Sequence, residues 1–320
     1  MPLPPEWQVF VDAATAAFPE LGTKVVDAAE ARAFLAARPA PPAAEPVPVA
    51  AVEDWLVPGP VDAPEVPVRI YRPLDAEQTP GVVVFYHGGG FVLCNLDSHD
   101  KFCRVMANAA GALVISVDYR RAPDARFPAA TADAYAVLRW VADNAEALGG
   151  DPARIAVAGD SAGGNLATVA ALQARDNGGP DLVFQLLLYP MLNPACDTVS
   201  YTENATGYFT TAPQMRWYWQ QYLNSPAEAD DPYVNPMVAD LTGLPPAHLA
   251  TAEFDPLRDE GEIYGKLLRE AGVPTEIQRW DGTIHGFMSM AWHLPETQRA
   301  NAAAFAALRR ALARTTSHSR

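Results

Sequence analysis

The feature that most narrows what this chain can fold into is one short turn, Gly159-Asp160-Ser161-Ala162-Gly163. The run before it, residues 154–158, is apolar enough for a buried strand, and residues 165–172 after it suit a helix. A strand, a tight turn and a helix place Ser161 at the apex. Glycines at 159 and 163 remove side chains that would collide across the turn, so Ser161 can take a strained backbone and expose its hydroxyl above a sheet edge. The spacing alone recurs by chance in roughly one chain in ten of this length. Its weight comes from the flanking elements and from partners elsewhere, set against the plainer reading of a glycine-rich turn with a helix-capping serine.

The rest of the chain supplies a strand–helix rhythm. Two helical patterns fill residues 5–37: Trp7, Phe10, Val11, Ala14 and Phe18 form one apolar face, and Val25, Val26, Ala29, Ala33 and Phe34 a second. Their polar sides carry Asp12, Glu20, Asp27 and Glu30 rather than lysines, so the pair is expected to pack on its own protein and not on lipid. A proline-rich extended connector follows at 39–48. Strands are expected at 51–57 and 66–72, as an antiparallel pair, and then at 81–86, 112–117, 154–158, 182–189, 247–253 and 274–280. In the helix expected at 130–144, Ala130, Ala134, Val137, Leu138 and Val141 face inward, while Asp133 and Arg139 fall on the wet side. A later helix reaches Ala271, and the last, 296–314, places Phe305, Leu308 and Leu312 on one face before a frayed tail at 315–320. Repeated alternation implies an α/β fold with a mostly parallel sheet covered on both faces.

At residues 193–231 the rhythm breaks. This stretch is dense in aromatics and lies between two sheet strands, which makes it a core helix, a lid or a pocket wall. The expected organisation is N-terminal helices at 1–45, a catalytic core at 46–192, an insertion at 193–231 and the rest of the core at 232–320.

Composition excludes several functions. A net charge of −15 over 320 residues offers no basic stripe for nucleic acid and no attraction to an anionic membrane. The longest apolar stretch, 182–192, is interrupted by Gln185 and too short to span a bilayer. Cys94, Cys103 and Cys196 have neither zinc-site spacing nor the number to pair fully, and the N-terminus does not read as a signal peptide. Cytoplasmic location is the expectation.

A serine hydroxyl becomes nucleophilic when a base near neutral pKa takes its proton, which points to histidine. Of the six, His87 and His99 precede the serine, His248 falls inside an expected strand, and His318 is in the tail. His285 sits between Gly282 and Gly286 directly after the last strand and is preferred over His293. Asp255, directly after the preceding strand, is the orienting carboxylate; Asp259 and Glu260 read as favourable charges in the first turn of a helix. The loop His87-Gly88-Gly89-Gly90-Phe91 after a core strand is a candidate oxyanion hole, because its glycines let backbone amides turn toward a ligand.

Residues 82–287 resemble the hormone-sensitive-lipase-like family of α/β-hydrolases, many of them microbial carboxylesterases. The resemblance rests on His87-Gly88-Gly89-Gly90, Asp118-Tyr119-Arg120, Phe127-Pro128-Ala129-Ala130, Gly159-Asp160-Ser161-Ala162-Gly163-Gly164, Asp255-Pro256-Leu257-Arg258-Asp259-Glu260-Gly261 and Ile284-His285-Gly286-Phe287, in family order. Arg121 departs from the family's usual apolar residue, a change expected to touch the surface alone. The resemblance implies an α/β-hydrolase fold with a small helical cap from the N-terminal helices and the 193–231 insertion, and a homodimer through the late edge strand and helix. It also implies a carboxylesterase for short- to medium-chain esters in which Ser161 attacks, His285 is the base and Asp255 orients it. The N–H groups of Ala162 and of the loop Gly88-Gly89-Gly90 would hold the oxyanion, with no metal or organic cofactor. Phe91, Asp160, Tyr189, Phe209, Trp217, Leu257 and Phe287 are expected around the substrate, with Tyr218 among the residues that shorten the acyl slot. An amidase or lipase at the same site, or a non-catalytic ligand receptor on the same fold, are the competing readings.

Overall fold

A computed structural model describes residues 2–37 and 45–313. The strands β1 (Ala51–Val57), β2 (Val66–Arg72), β3 (Val82–Tyr86), β4 (Leu113–Val117), β5 (Ile155–Asp160), β6 (Phe184–Leu188), β7 (Ala247–Phe254) and β8 (Thr275–Ile284) form one sheet. Its order is β1-β2-β4-β3-β5-β6-β7-β8. The first two strands pair antiparallel, β2 is antiparallel to β4, and every pairing from β4 to β8 is parallel. Every residue of β3, β4, β5 and β6 is buried, as continuous apolar strands covered on both faces require.

The covering helices are α1 (Pro5–Ala16), α2 (Ala28–Ala36), α3 (Asp100–Ala110), α4 (Ala129–Asn144), α5 (Ala162–Asp176), α6 (Val199–Glu203), α7 (Ala212–Tyr222), α8 (Arg258–Glu270), α9 (Phe287–Met290) and α10 (Pro295–Ala311). One core layer takes Val137 and Leu138 of α4, Leu166 of α5 and Leu268 of α8. The opposite layer takes Trp7 of α1, Phe102 and Met106 of α3, and Phe305 and Leu308 of α10. The parallel strands β3 to β8 point their C-terminal ends at one rim, where the connecting loops gather.

Several sequence expectations need correction. Helix α3, with Phe102, Cys103, Met106, Ala107 and Ala110 buried at helical spacing, was not anticipated. In α2 the buried residues are Ala28 and Ala31, whereas Val26 is 60% and Phe34 45% exposed. The cause is the start: Asp27 caps the helix by accepting from the Glu30 N–H, which leaves Val25 and Val26 outside it. Strand β8 continues past Trp280 to Ile284, and α10 ends at Ala311. The tail at 315–320, and most of the connector at 39–48, lie outside the described residues. Among the described residues no helix is long and apolar enough to cross a membrane.

Asp133 is the clearest departure. Expected on the wet side of α4, it is fully buried and accepts from the Arg120 backbone N–H and from that guanidinium, Nη2 to Oδ1 at 2.7 Å. The bonds fasten the segment after β4 to α4, so periodicity loses to a partner brought from another element. Replacing Asp133 with alanine should lower unfolding stability in urea by about 1.5–3 kcal/mol, the range for hydrogen bonds to a charged group. A loss well under 1 kcal/mol would show that the clamp is dispensable.

Candidate active site

Strand β5 ends at Asp160 and α5 begins at Ala162, so Ser161 occupies the turn between them with φ 55° and ψ −120°. Few L residues adopt that backbone, and here it lifts the hydroxyl out of the helix start. The turn cannot relax away from its neighbour: a Cβ on Gly163 would lie 1.9 Å from the Tyr86 carbonyl oxygen at the end of β3. Close approach thus sets the serine turn beside the loop that leaves β3.

Asp255 and His285 come from the junctions after β7 and β8, the last two strands of the sheet. Asp255 follows β7, is wholly buried, and accepts the Leu257 N–H on Oδ1 at 2.8 Å. Its Oδ2 lies 2.7 Å from His285 Nδ1, and His285 Nε2 lies 2.9 Å from Ser161 Oγ. Reach is supplied by an irregularity in the β7–β8 ladder: Ala252 pairs with Trp280, but Phe254 pairs with Ile284. The extra residues of β8 bulge, Glu253 accepts the Gly282 N–H at 2.7 Å, and His285 emerges beside Asp255. The Tyr189 ring stands edge-on behind the imidazole, with centroids 4.9 Å apart.

The glycine loop after β3 is tied to the serine turn by Asp160. Its carboxylate, 4% exposed, accepts the Gly88 N–H at 2.9 Å and faces His99 Nε2 at 3.2 Å, while His99 Nδ1 meets Ser98 Oγ at 2.9 Å. Burial works to raise the Asp160 pKa, but the imidazole of His99, that of His87 and the Gly88 N–H outweigh it and hold the carboxyl below its usual range. Gly88, expected among the oxyanion donors, therefore has its N–H committed elsewhere. No acceptor among the described residues takes the N–H of Gly89, Gly90 or Ala162. The Tyr218 ring packs onto Gly90 so closely that a Cβ there would meet it at 2.1 Å.

A cavity of about 260 Å³ opens over these groups. Ser161, His285, Asp160, Gly89 and Gly90 form its floor, with walls from Phe18, Leu35, Phe209, Gln214, Met215 and Tyr218. Of the residues expected around the substrate or its acyl slot, Asp160, Phe209 and Tyr218 line this cavity. Phe91, Tyr189, Trp217, Leu257 and Phe287 do not line the cavity. Phe91 instead stacks on Tyr222 at 3.9 Å, the Trp217 indole N–H donates to the Val26 carbonyl at 2.7 Å, and Phe287 packs against Trp7 and Tyr189. Leu257 is buried and serves through its backbone N–H.

Other residues took roles that spacing along the chain did not reveal. His99, set aside as preceding the serine, lines the cavity, and so does Leu35 of α2. Arg121 is not a surface residue alone, since its guanidinium donates to the Cys94 carbonyl beside the cavity. Glu260, expected as a solvated helix-start charge, is fully buried and accepts the Leu192 N–H at 2.7 Å. Burial raises its pKa well above the usual carboxylate range, against the backbone N–H groups that favour the ionised form. Among the described residues no three His, Cys, Asp or Glu side chains converge as a metal-binding group.

The depressed pKa of Asp160 has a sign that can be tested. An ionised carboxylate favoured in the folded state stabilises the protein above the unfolded-state pKa of about 3.9, and that contribution is lost as pH falls through the lower folded value. Stability should therefore drop more between pH 5 and 2, on the order of the range over which such a group titrates, in the wild type than in Asp160→Asn. Parallel stability curves for the two proteins would contradict the assignment.

Comparison with known proteins places this geometry in a family. A model of the α/β-hydrolase fold, Abhydrolase_3, matches residues 83–289. The chain is 46% identical over 252 residues to carboxylesterase NlhH of Mycobacterium tuberculosis, covering 78% of this chain and 79% of the relative. It is 41% identical over 235 residues to an ethyl acetate hydrolase of Pseudomonas putida, covering 72% and 73%. A hyperthermophilic esterase from Pyrobaculum calidifontis superposes with a TM-score of 0.88 at 41% identity, over 98% of this chain and 100% of that one. The chain belongs to the hormone-sensitive-lipase-like carboxylesterase family of the α/β-hydrolase fold.

Proposed function

We propose that the protein hydrolyses short- to medium-chain carboxylic esters through an acyl-enzyme formed on Ser161. What carries the reading is one continuous hydrogen-bonded line, Asp255 Oδ2 to His285 Nδ1 and His285 Nε2 to Ser161 Oγ, at the floor of a cavity. In the first step His285 Nε2 takes the hydroxyl proton as Oγ attacks the ester carbonyl carbon. Buried Asp255 keeps the proton on Nδ1 and favours the imidazolium that forms. The negative charge that develops on the carbonyl oxygen is met by the N–H groups of Ala162, Gly89 and Gly90, each such donor being worth about 3–4 kcal/mol in the transition state.

Collapse of that intermediate breaks the bond to the alcohol oxygen, which leaves with the proton from His285. Water then enters, gives its proton to His285, and attacks the acyl carbonyl; collapse returns the proton to Ser161 Oγ and frees the acid. A cavity of about 260 Å³ lies just below the roughly 300–1,000 Å³ that small-molecule sites generally span, which suits a small ester. The presence of Ser161, Asp255 and His285 together speaks against a receptor that has lost its base. Amide or long-chain lipid hydrolysis would use the same groups and is an outcome of the substrate test below.

The reading extends to a cytoplasmic enzyme, supported by the unpaired thiols of Cys94, Cys103 and Cys196, and to a homodimer through β8, an edge of the sheet. Sedimentation velocity on the purified protein decides the second point, a single monomer boundary at micromolar concentration counting against it.

For the chemistry, a p-nitrophenyl ester series of rising acyl length gives the test. The wild type should turn over best at short or medium chains. Ser161→Ala should lose about a millionfold in kcat and Asp255→Asn about ten thousandfold, as for other serine hydrolases acting through this arrangement. Either variant within about tenfold of wild type would overturn the assignment.

A further inference from the structure

The cavity over Ser161 has a neighbour. A second cavity, of about 160 Å³, lies between residues 15–23 and residues 206–214, and Phe18, Phe209 and Gln214 belong to the lining of both. The two phenylalanine rings meet edge to face, with centroids 5.4 Å apart and planes at 71°. Gln214 is held in place: its side-chain amide donates to Tyr218 Oη at 3.2 Å and its carbonyl completes a capping box with Thr211. The partition between the cavities is thus two apolar rings beside one fixed amide.

The ring of Phe209 projects from a backbone at φ +71°, and Gly207, at φ +92°, has open space around its Cβ position. Behind the rings the space is built by fastened elements: the Trp217 indole donates to the Val26 carbonyl, and Leu21 and Val25 form a β-bridge. Besides Phe18, Phe209 and Gln214, its walls are Pro19, Leu21, Pro213, threonines 15, 23, 206 and 211, which offer methyl and ring carbons to an aliphatic chain, and Glu20, whose carboxylate is paired with Lys24 at 2.6 Å.

We propose that the Phe18–Phe209 pair is the length stop of the substrate pocket, and that the space behind it accepts the aliphatic end of longer esters once a ring is displaced. The inference rests on the ester-hydrolase reading. Chains that end before the rings fill the first cavity; each methylene beyond them must move a ring or stay outside. With a ring removed the cavities join, and each methylene then buried should raise kcat/KM by roughly fourfold.

The test uses two ester series on the full-length protein: p-nitrophenyl alkanoates, with the chain on the acid, and alkyl acetates, with the chain on the alcohol. For wild type, Phe18→Ala and Phe209→Ala, the quantity read is the ratio of kcat/KM for the eight-carbon chain to that for the four-carbon chain. A ratio within one protein is unaffected by uniform loss of active enzyme. Both variants should raise it by about tenfold or more in one series, which also tells whether the acyl or the alkoxy chain points at the rings. Should either alanine variant fail to fold, Phe209→Leu carries the same expectation with a smaller shift. Ratios within twofold of wild type in both series would overturn the length stop and leave the esterase reading standing. No turnover of any ester by folded wild type would overturn both.

Discussion

A carboxylate almost shut off from water, Asp160, holds the site together. It closes β5, one residue before the nucleophile, and accepts the first N–H of the glycine loop from the neighbouring strand. Because β3 and β5 are adjacent and in parallel register, Tyr86 beside Gly159, the loop and the serine turn leave the sheet side by side. The Asp160–Gly88 bond converts that proximity into a fixed orientation. One amide is given up to the carboxylate, and the next two have no acceptor among the described residues, which suits the oxyanion role proposed for them. A buried ion with a single partner would be costly; His99 Nε2, 3.2 Å from Oδ1 and 3.3 Å from Oδ2, gives the carboxylate a second.

The reacting groups depend in the same way on where strands end. Ser161 follows β5, Asp255 follows β7 and His285 follows β8, so rigid sheet edges rather than long loops set their separations. The register shift between β7 and β8 falls just before His285. Above this floor the N-terminal segment and the 193–231 segment build the walls, joined by the Trp217–Val26 bond and the Phe18–Phe209 contact. Ser161, Asp255 and His285 therefore sit at strand ends of the sheet, while much of the cavity wall sits on elements that the sheet does not dictate.

That division explains what could be read in the chain. The strands along the chain, the antiparallel β1–β2 pair and the expectation for Ser161, Asp255 and His285 follow from local signals: apolar runs, a constrained glycine spacing, and polar residues placed just past strand ends; the order of the strands in the sheet does not. Asp281-Gly282-Thr283 carries turn chemistry, so β8 looked finished at Trp280; only its pairing with β7 keeps those residues in the strand. Helix α3 did carry a legible pattern, with Phe102, Met106 and Ala110 four apart. Asp133 and Glu260 have helix positions that suit exposed charges, and their burial depends on backbone and side-chain partners far along the chain. Pocket residues were the least legible. Phe91, Trp217 and Phe287 are large and close in sequence to catalytic motifs or the insertion, yet each packs into neighbouring rings or the N-terminal segment, while Leu35 and His99 reach the cavity from helices with no such motif.

The most direct test of the central claim is a crystal structure of the protein inhibited by a p-nitrophenyl phosphonate, whose phosphoryl oxygen takes the place of the ester oxyanion. The account predicts phosphorus bonded to Ser161 Oγ, with that oxygen within hydrogen-bond distance of the N–H groups of Ala162 and of Gly89 or Gly90. Gly88 should still donate to Asp160. An adduct on another residue, or an oxygen bound by the Gly88 N–H with Asp160 turned away, would contradict it.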